Sequence, residues 1–184
     1  MNGSSKLALF IVGFGMAGWV GDGYGQSNVY AHNRVSIVLS ETMGLALNGQ
    51  PGDRVDFRFF DATAYSAGLS LLMKDHLVIT SNRRFNLVAR AARESFVGGG
   101  ADHVPVSVLR IEVADNAVER GRYVKQPIEH LSTIDRPLLL QYPPLNNRFL
   151  NVKYTISAIE PSRHILGKQP GAYTNAVIYT LITL

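Results

Sequence analysis

The chain has 184 residues, with 18 basic and 14 acidic side chains and a formal charge of +4. It contains no cysteine, which excludes a disulfide framework and a lipid-bearing lipobox cysteine alike. Arginine supplies 13 of the 18 cations, but these are scattered along the chain with no aromatic-interleaved basic patch, so nucleic acid is not an expected partner.

Near the start, Lys6 precedes an apolar run of 14 residues, Leu7–Val20, and a glycine-rich exit at Gly21–Gly25. These are the proportions of a secretory signal peptide. A membrane span needs about 20 apolar residues, and glycine interrupts this run. An uncleaved anchor or a buried core segment are therefore the weaker alternatives. The small residues Gly23 and Gly25 suit signal peptidase. The expected organisation is a signal peptide over 1–25 and a single β-sandwich domain over 26–184, exported to the periplasm, the cell surface or the medium. Loss of the leader removes Lys6 and Asp22 together, so the charge stays at +4.

Beyond the leader no segment shows a capped helical period. Short β-rich runs divided by turn residues recur instead. Val35–Leu39 reads as the first strand, and Asn48–Asp53 is a dense turn signal. Arg54–Phe60 alternates with Val55, Phe57 and Phe59 on one face. Ala64–Lys74 reads equally as a short helix, with Ala64, Ala67, Leu71 and Leu72 along it, or as an irregular strand or crossover. His76–Thr80 and Phe85–Ala91 form a hairpin about the turn Ser81–Arg84, with Phe85, Leu87, Ala89 and Ala91 inward and His76 outward. Gly98–Gly100 marks a loop. In Val104–Val113 the apolar phase switches midway, which predicts a bulge or a strand moving between sheets. Ala114–Lys125 is a polar connection, and Pro137–Gln141 is a short run closed by Pro143-Pro144. Arg148–Ile159 is strongly amphipathic, with Leu150, Val152, Tyr154, Ile156 and Ala158 inward. After the turn Gln169–Tyr173, the strand Ala176–Leu184 sets Val177, Tyr179 and Leu181 on one face and Ile178, Ile182 and Leu184 on the other, and is expected to be enclosed on both. The sum is an all-β antiparallel sandwich of about seven to nine strands.

The same residues supply no catalytic constellation. The five histidines, at 32, 76, 103, 130 and 164, lack the close pairing of a zinc helix. No Gly-x-Ser-x-Gly elbow is present, and Ser66 lacks the strand-turn-helix setting that activates a serine. Asp53-Arg54-Val55-Asp56 does not space its acids as a calcium loop does. No catalytic residue, metal site or cofactor is assigned, and the expectation is a non-enzyme. The arginine excess suits carboxylates and phosphates, and Tyr142, beside Pro143-Pro144, is expected at the surface. A binding module for a glycan or acidic polymer is therefore the alternative function.

Three pieces carry a resemblance: Leu77–Leu87, Val152–Ile156, and Gly171-Ala172-Tyr173 before the terminal strand. Together they resemble small exported bacterial β-sandwiches, the fimbrial major subunits and spore-coat-U-like pilin domains. There a Gly-x-Tyr turn starts a closing strand of the form V-x-x-x-L, matched here by Val177 and Leu181. The resemblance covers about a third of the chain. It implies an Ig-like fold, a life outside the inner membrane, and a structural or adhesive role. Partners would be other copies of the chain or other surface subunits, with a periplasmic chaperone. Candidate assembly strands are Val35, Ile37 and Leu39 at the start and Val177, Tyr179 and Leu181 at the end. The chain departs from the fimbrial pattern in the short, weakly alternating stretch 26–34 before the first strand. Either Val35–Leu39 is itself donated to a neighbour, or the sandwich completes itself and does not polymerise by strand exchange, which is the favoured expectation.

Sequencing the exported protein from its N-terminus is expected to read from Gln26 or within a few residues of it. A sequence beginning at Met1 would overturn the leader assignment.

Overall fold

A computed structural model describes residues 34–48, 54–98, 101–114 and 123–184. The expected leader, the body of the turn at 49–53, the glycines at 99–100 and the polar connection at 115–122 lie outside the described residues. The chain divides into two units, Met1–Val38 and Leu39–Leu184. Of the first, residues 34–38 are described, and they are exposed and form no strand.

The second unit is an all-β antiparallel sandwich. Its strands are β1 (Met43–Leu47), β2 (Leu69–Ser81), β3 (Phe85–Ala91), β4 (Ser95–Val97), β5 (His103–Pro105), β6 (Leu109–Val113), β7 (Val124–Lys125), β8 (Arg136–Tyr142), β9 (Leu145–Ile156) and β10 (Val177–Thr183), with one short helix α1 (Ala62–Ala67). One sheet runs β1-β2-β9-β6, the second β10-β3-β8-β7, and β4 pairs with β5 in a ribbon. Every ladder is antiparallel.

Alternation builds the core from both sheets. Phe85, Leu87, Ala89 and Ala91 of β3 are fully buried, and Leu150, Val152, Tyr154 and Ile156 of β9 face them from the other sheet. Between these residues, Asn86, Arg90, Asn151, Lys153 and Thr155 are only partly covered. The outer face of β6 and β9 carries a charge network: Arg110 reaches Glu112 at 2.8 Å and Glu129 at 3.1 Å, and Lys153 reaches Glu112 at 3.4 Å.

Several expectations need correction. The strand expected over Val35–Leu39 is not formed; Val35, Ile37 and Leu39 are 78%, 81% and 88% exposed, and β1 takes the sheet edge instead. Arg54–Phe60 keeps its alternation, with Val55, Phe57 and Phe59 packed on the core, but it joins no ladder. The ambiguous stretch is both things in turn. Asp61 caps α1 by accepting from Ala64 N at 2.8 Å, and β2 begins at Leu69. Gly68, between them, has φ of +72°, and a Cβ there would lie 2.4 Å from Ile156 O, so only glycine fits. The phase switch in Val104–Val113 is a 3₁₀ turn, Val106–Val108, carrying the chain from the ribbon into the first sheet. Ala158 lies beyond β9 and is exposed. Tyr142 is not at the surface; it is 2% exposed, packed on Phe85 and Tyr123. Finally, β10 is an edge strand whose faces are unequally covered: Leu181 is 8% exposed, whereas Ile182 and Leu184 are 44% and 51% exposed and Ile178 and Thr180 only partly covered.

The alternation of β9 is open to a direct test. Val152→Asp places a carboxylate where the side chain is fully buried, and is expected to cost more than about 3 kcal/mol. Lys153→Gln alters a side chain that is 41% exposed and gives up one ion pair with Glu112, with an expected cost below about 1 kcal/mol. Equal midpoint shifts in denaturant would show that the strand faces are misassigned.

Candidate functional site

The most distinctive side-chain constellation lies between the sheets. His76 of β2, Tyr154 of β9 and Tyr179 of β10 form a hydrogen-bonded chain. His76 Nε2 lies 2.8 Å from the Tyr154 hydroxyl, which lies 2.5 Å from the Tyr179 hydroxyl. The imidazole meets both phenol rings edge-on, at centroid distances of 5.6 and 6.3 Å. His76 and Tyr154 are buried, and Tyr179 is partly so.

A backbone irregularity puts the histidine there. The β2–β9 register passes from Met73↔Val152 to Leu77↔Leu150, so three residues of β2 stand opposite Asn151 alone. Asp75, at φ of +51°, turns the chain and donates its N–H to Asn151 Oδ1 at 2.7 Å. Aspartate tolerates this left-handed geometry better than most residues. The bulge rotates His76 out of the strict alternation and into the space between the sheets. The expected outward position of His76 is thereby corrected.

Burial governs the chemistry of the pair of phenols. It pushes Tyr154 up to about 12, with the hydrogen bond from Tyr179 pulling the other way. Tyr179 is held well above the usual phenol value by burial, and further by the neighbouring Tyr154. Both hydroxyls stay protonated at neutral pH and act as hydrogen-bonding groups, not as phenolate bases. Their arrangement ties β10 of one sheet to β2 and β9 of the other.

Of the candidate assembly residues at the end of the chain, Val177, Tyr179 and Leu181 occupy the core-facing side of β10, opposite Ala91, Ala89 and Leu87. Those at the start, Val35, Ile37 and Leu39, stand exposed and apart from any ladder. The turn before β10 is fastened by Tyr173, whose hydroxyl donates to Gln169 O at 2.8 Å. Its ring lies so close to Gly98 that a Cβ there would stand 2.9 Å from it. Thr174 exchanges two backbone hydrogen bonds with Val97, both at 3.0 Å, and Asn175 donates to the carbonyls of Arg93 and Ser95. Gly171, part of the Gly-x-Tyr pattern, has open space where a Cβ would stand.

At the end of the sandwich where β2 turns into β3, an open depression of about 470 Å³ is lined by Thr42, Thr80, Ser81, Asn82, Pro144, Leu145 and Asn146. Asn82 joins its walls, accepting from Thr42 N at 2.9 Å and donating to Ser40 O at 2.7 Å. Arg83 and Arg84 follow in the turn that carries the chain from β2 of the first sheet to β3 of the second, so the hairpin expected of these two strands is not formed: each finds its partners in a different sheet. In that turn Arg83 reaches Glu41 at 3.6 Å and Arg84 donates to Gln141 O at 3.0 Å. Among the described residues no three His, Asp or Glu side chains gather as a metal site would require, and no helix is long and apolar enough to cross a membrane.

No family model matches the chain, and no curated protein matches it.

The buried tyrosines predict a pH dependence. Tyr154 ionises near 12 in the folded chain and near 10 when unfolded, so folding favours the protonated form. That contribution is complete below pH 10 and is lost as pH rises from about 10 through 12, because the unfolded chain gives up the proton first. The urea midpoint is expected to hold to about pH 9.5 and then fall, and Tyr154→Phe should flatten the fall. At neutral pH the same substitution is expected to cost about 1–3 kcal/mol, since it leaves buried polar partners behind. A midpoint indifferent to Tyr154→Phe at both pH values would mean that the chain of hydrogen bonds carries no load.

Proposed function

We propose that this protein is an exported structural or adhesive surface subunit, a pilin-like β-sandwich that works by association and not by catalysis. The observation that carries the reading is the apolar run Val35, Ile37, Val38 and Leu39, whose members are 78–88% exposed and enter no ladder among the described residues. Burying one such side chain is worth about 1.5–3 kcal/mol, and a neighbouring subunit recovers that by covering the run. The leader pattern of Lys6 and Leu7–Val20 supports passage out of the cytoplasm. Both four-stranded sheets are made of strands from this chain alone, which supports a sandwich that completes itself, with the exposed run left over for a neighbour. Partners on this reading are copies of the chain or other surface subunits, with a periplasmic chaperone in transit.

A second reading, a secreted binding module for a glycan or an acidic polymer, draws on the depression at the β2–β3 turn. Its hydroxyls and amides stand beside Pro144 and Leu145, with Arg83 and Arg84 at the turn. Sugars and acidic groups are recognised by such mixtures.

Shearing material from producing cells separates the two. The subunit reading expects the chain in high-mass fractions that run as ladders on unheated gels. Deleting residues 35–39 should abolish the ladders while leaving the melting temperature of the sandwich nearly unchanged. Recovery solely as a monomer that an anionic polysaccharide retards in native gels would establish the second reading instead.

A further inference from the structure

The free side of β10 is defined by its neighbours. Ala92 N donates to Ala176 O, and Leu184 N donates to Arg84 O, both at 2.9 Å. In an antiparallel pair the N–H and C=O of one residue point to the same side, and the side alternates along the strand. Ala176, Ile178, Thr180, Ile182 and Leu184 therefore direct their backbone groups at β3. Val177, Tyr179, Leu181 and Thr183 direct theirs away from the sheet, where no strand among the described residues pairs with them.

This edge lacks the usual protections. From Ala176 to Leu184 there is no charged side chain, no proline and no glycine, and its ladder with β3 runs seven pairs without a bulge. Edge strands are ordinarily kept from pairing by such features. The far edge of the same sheet, β7, is two residues long and carries Lys125, and β6 at the far edge of the other sheet carries Arg110 and Glu112.

We propose that β10 is a self-pairing edge, through which two copies of the chain join antiparallel about a two-fold axis at Thr180 into one continuous eight-stranded sheet. The strand complements itself under that operation. Tyr179 faces Leu181 of the other copy and Val177 faces Thr183, so the hydrogen-bonded pairs are those with free backbone groups. Thr180 faces Thr180 and Ile178 faces Ile182, in the closer, non-hydrogen-bonded pairs. The half-exposed Ile182 thus gains an apolar cross-strand neighbour. The pattern of charge suits a second copy better than a charged foreign strand. Arg90 lies behind Ile178 and Asn86 behind Ile182, so the axis sets Arg90 of one copy in line with Asn86 of the other. Arg90 is also matched by Asp135 at 3.5 Å within its own chain. No like charges meet, and the uncharged edge offers a charged strand no counterion. The inference goes beyond the surface-subunit reading, because it needs neither export nor the run Val35–Leu39.

The absence of cysteine makes the register testable by crosslinking. The Cα separation of a non-hydrogen-bonded pair, ~4.5 Å, lies within the disulfide range. Thr180→Cys is therefore expected to give a covalent dimer on mild oxidation. Ile182→Cys alone should not, whereas a mixture of Ile178→Cys and Ile182→Cys chains should. By light scattering, wild type should be a dimer. Thr180→Lys and Thr180→Glu should each be monomeric with unchanged circular dichroism, and an equimolar mixture of them should dimerise again. A wild-type chain that stays monomeric as its concentration rises would overturn the proposal. So would a dimer in which Ile182→Cys crosslinks as readily as Thr180→Cys. A dimer that persists on deleting residues 35–39 supports β10 pairing irrespective of the surface-subunit reading. A dimer lost on that deletion, with no Thr180→Cys crosslink, would assign association to the exposed run instead.

Discussion

The pairing of β2 with β9 is the constraint from which the remaining arrangement follows. These are the two longest strands, 13 and 12 residues, and they lie at the centre of the first sheet with β1 and β6 on their flanks. Leu77 and Ile79 of β2 and Leu150 and Val152 of β9 are at most 1% exposed, so the ladder and the heart of the core coincide. The pairing is not uniform. Two extra residues in β2 oblige the strand to bulge at Asp75, and the bulge delivers His76 to the gap between sheets. A local mismatch in one ladder thus decides which polar group meets β10 of the opposite sheet.

An apolar core is satisfied by many registers, because apolar contact is non-directional. A hydrogen-bonded chain is not. Sliding β10 by one residue would carry Tyr179 to the outer face, as it would every residue of the strand, and leave the Tyr154 hydroxyl without that partner in a place where an unmade hydrogen bond is costly. We read this His76–Tyr154–Tyr179 latch as a register device for the last strand, whose other edge has no ladder partner among the described residues to hold it. Asn175 and Tyr173 act to the same end at its entry, by tying the preceding turn to the carbonyls of Arg93 and Ser95 and to Gln169.

The strands that alternate cleanly were legible from the residues. Phe85–Ala91 has the same limits in the sequence reading and in the structure, and Leu150, Val152, Tyr154 and Ile156 face inward as their period requires. In β9 the period of two is unbroken from Leu150 and the burial one-sided, and in β3 only Val88 adds a buried side chain on the other face; such a period is the condition under which pattern reports structure. Where a backbone event breaks the period, pattern misleads. His76 is out of phase with Leu77 and Ile79, and nothing in the apolar pattern foretells that a bulge will turn it inward. The adjacent charges Lys74 and Asp75 inside an apolar run were the available signal, since charged neighbours and an aspartate able to adopt positive φ mark a place where a ladder yields. Val35–Leu39 misled for the opposite reason. Its composition is that of a strand, but a strand exists only with a partner, and composition does not report one.

The same distinction bears on the end of the chain. Apolar residues on both faces of Ala176–Leu184 suggested enclosure, whereas β10 sits at an edge with one face on the core and Ile182 and Leu184 half exposed. Selection against unwanted pairing usually places a charge or a proline on such a strand. Here the outward positions are Ile178, Thr180 and Ile182, all favoured in strands and none repelled by a copy of itself. The latch holds the inner face of β10 in a single register, and that fixes which backbone groups the outer edge presents. An edge so specified on one side is pre-organised on the other, and pre-organisation is what lets a short run of main-chain hydrogen bonds hold two chains together with little further ordering.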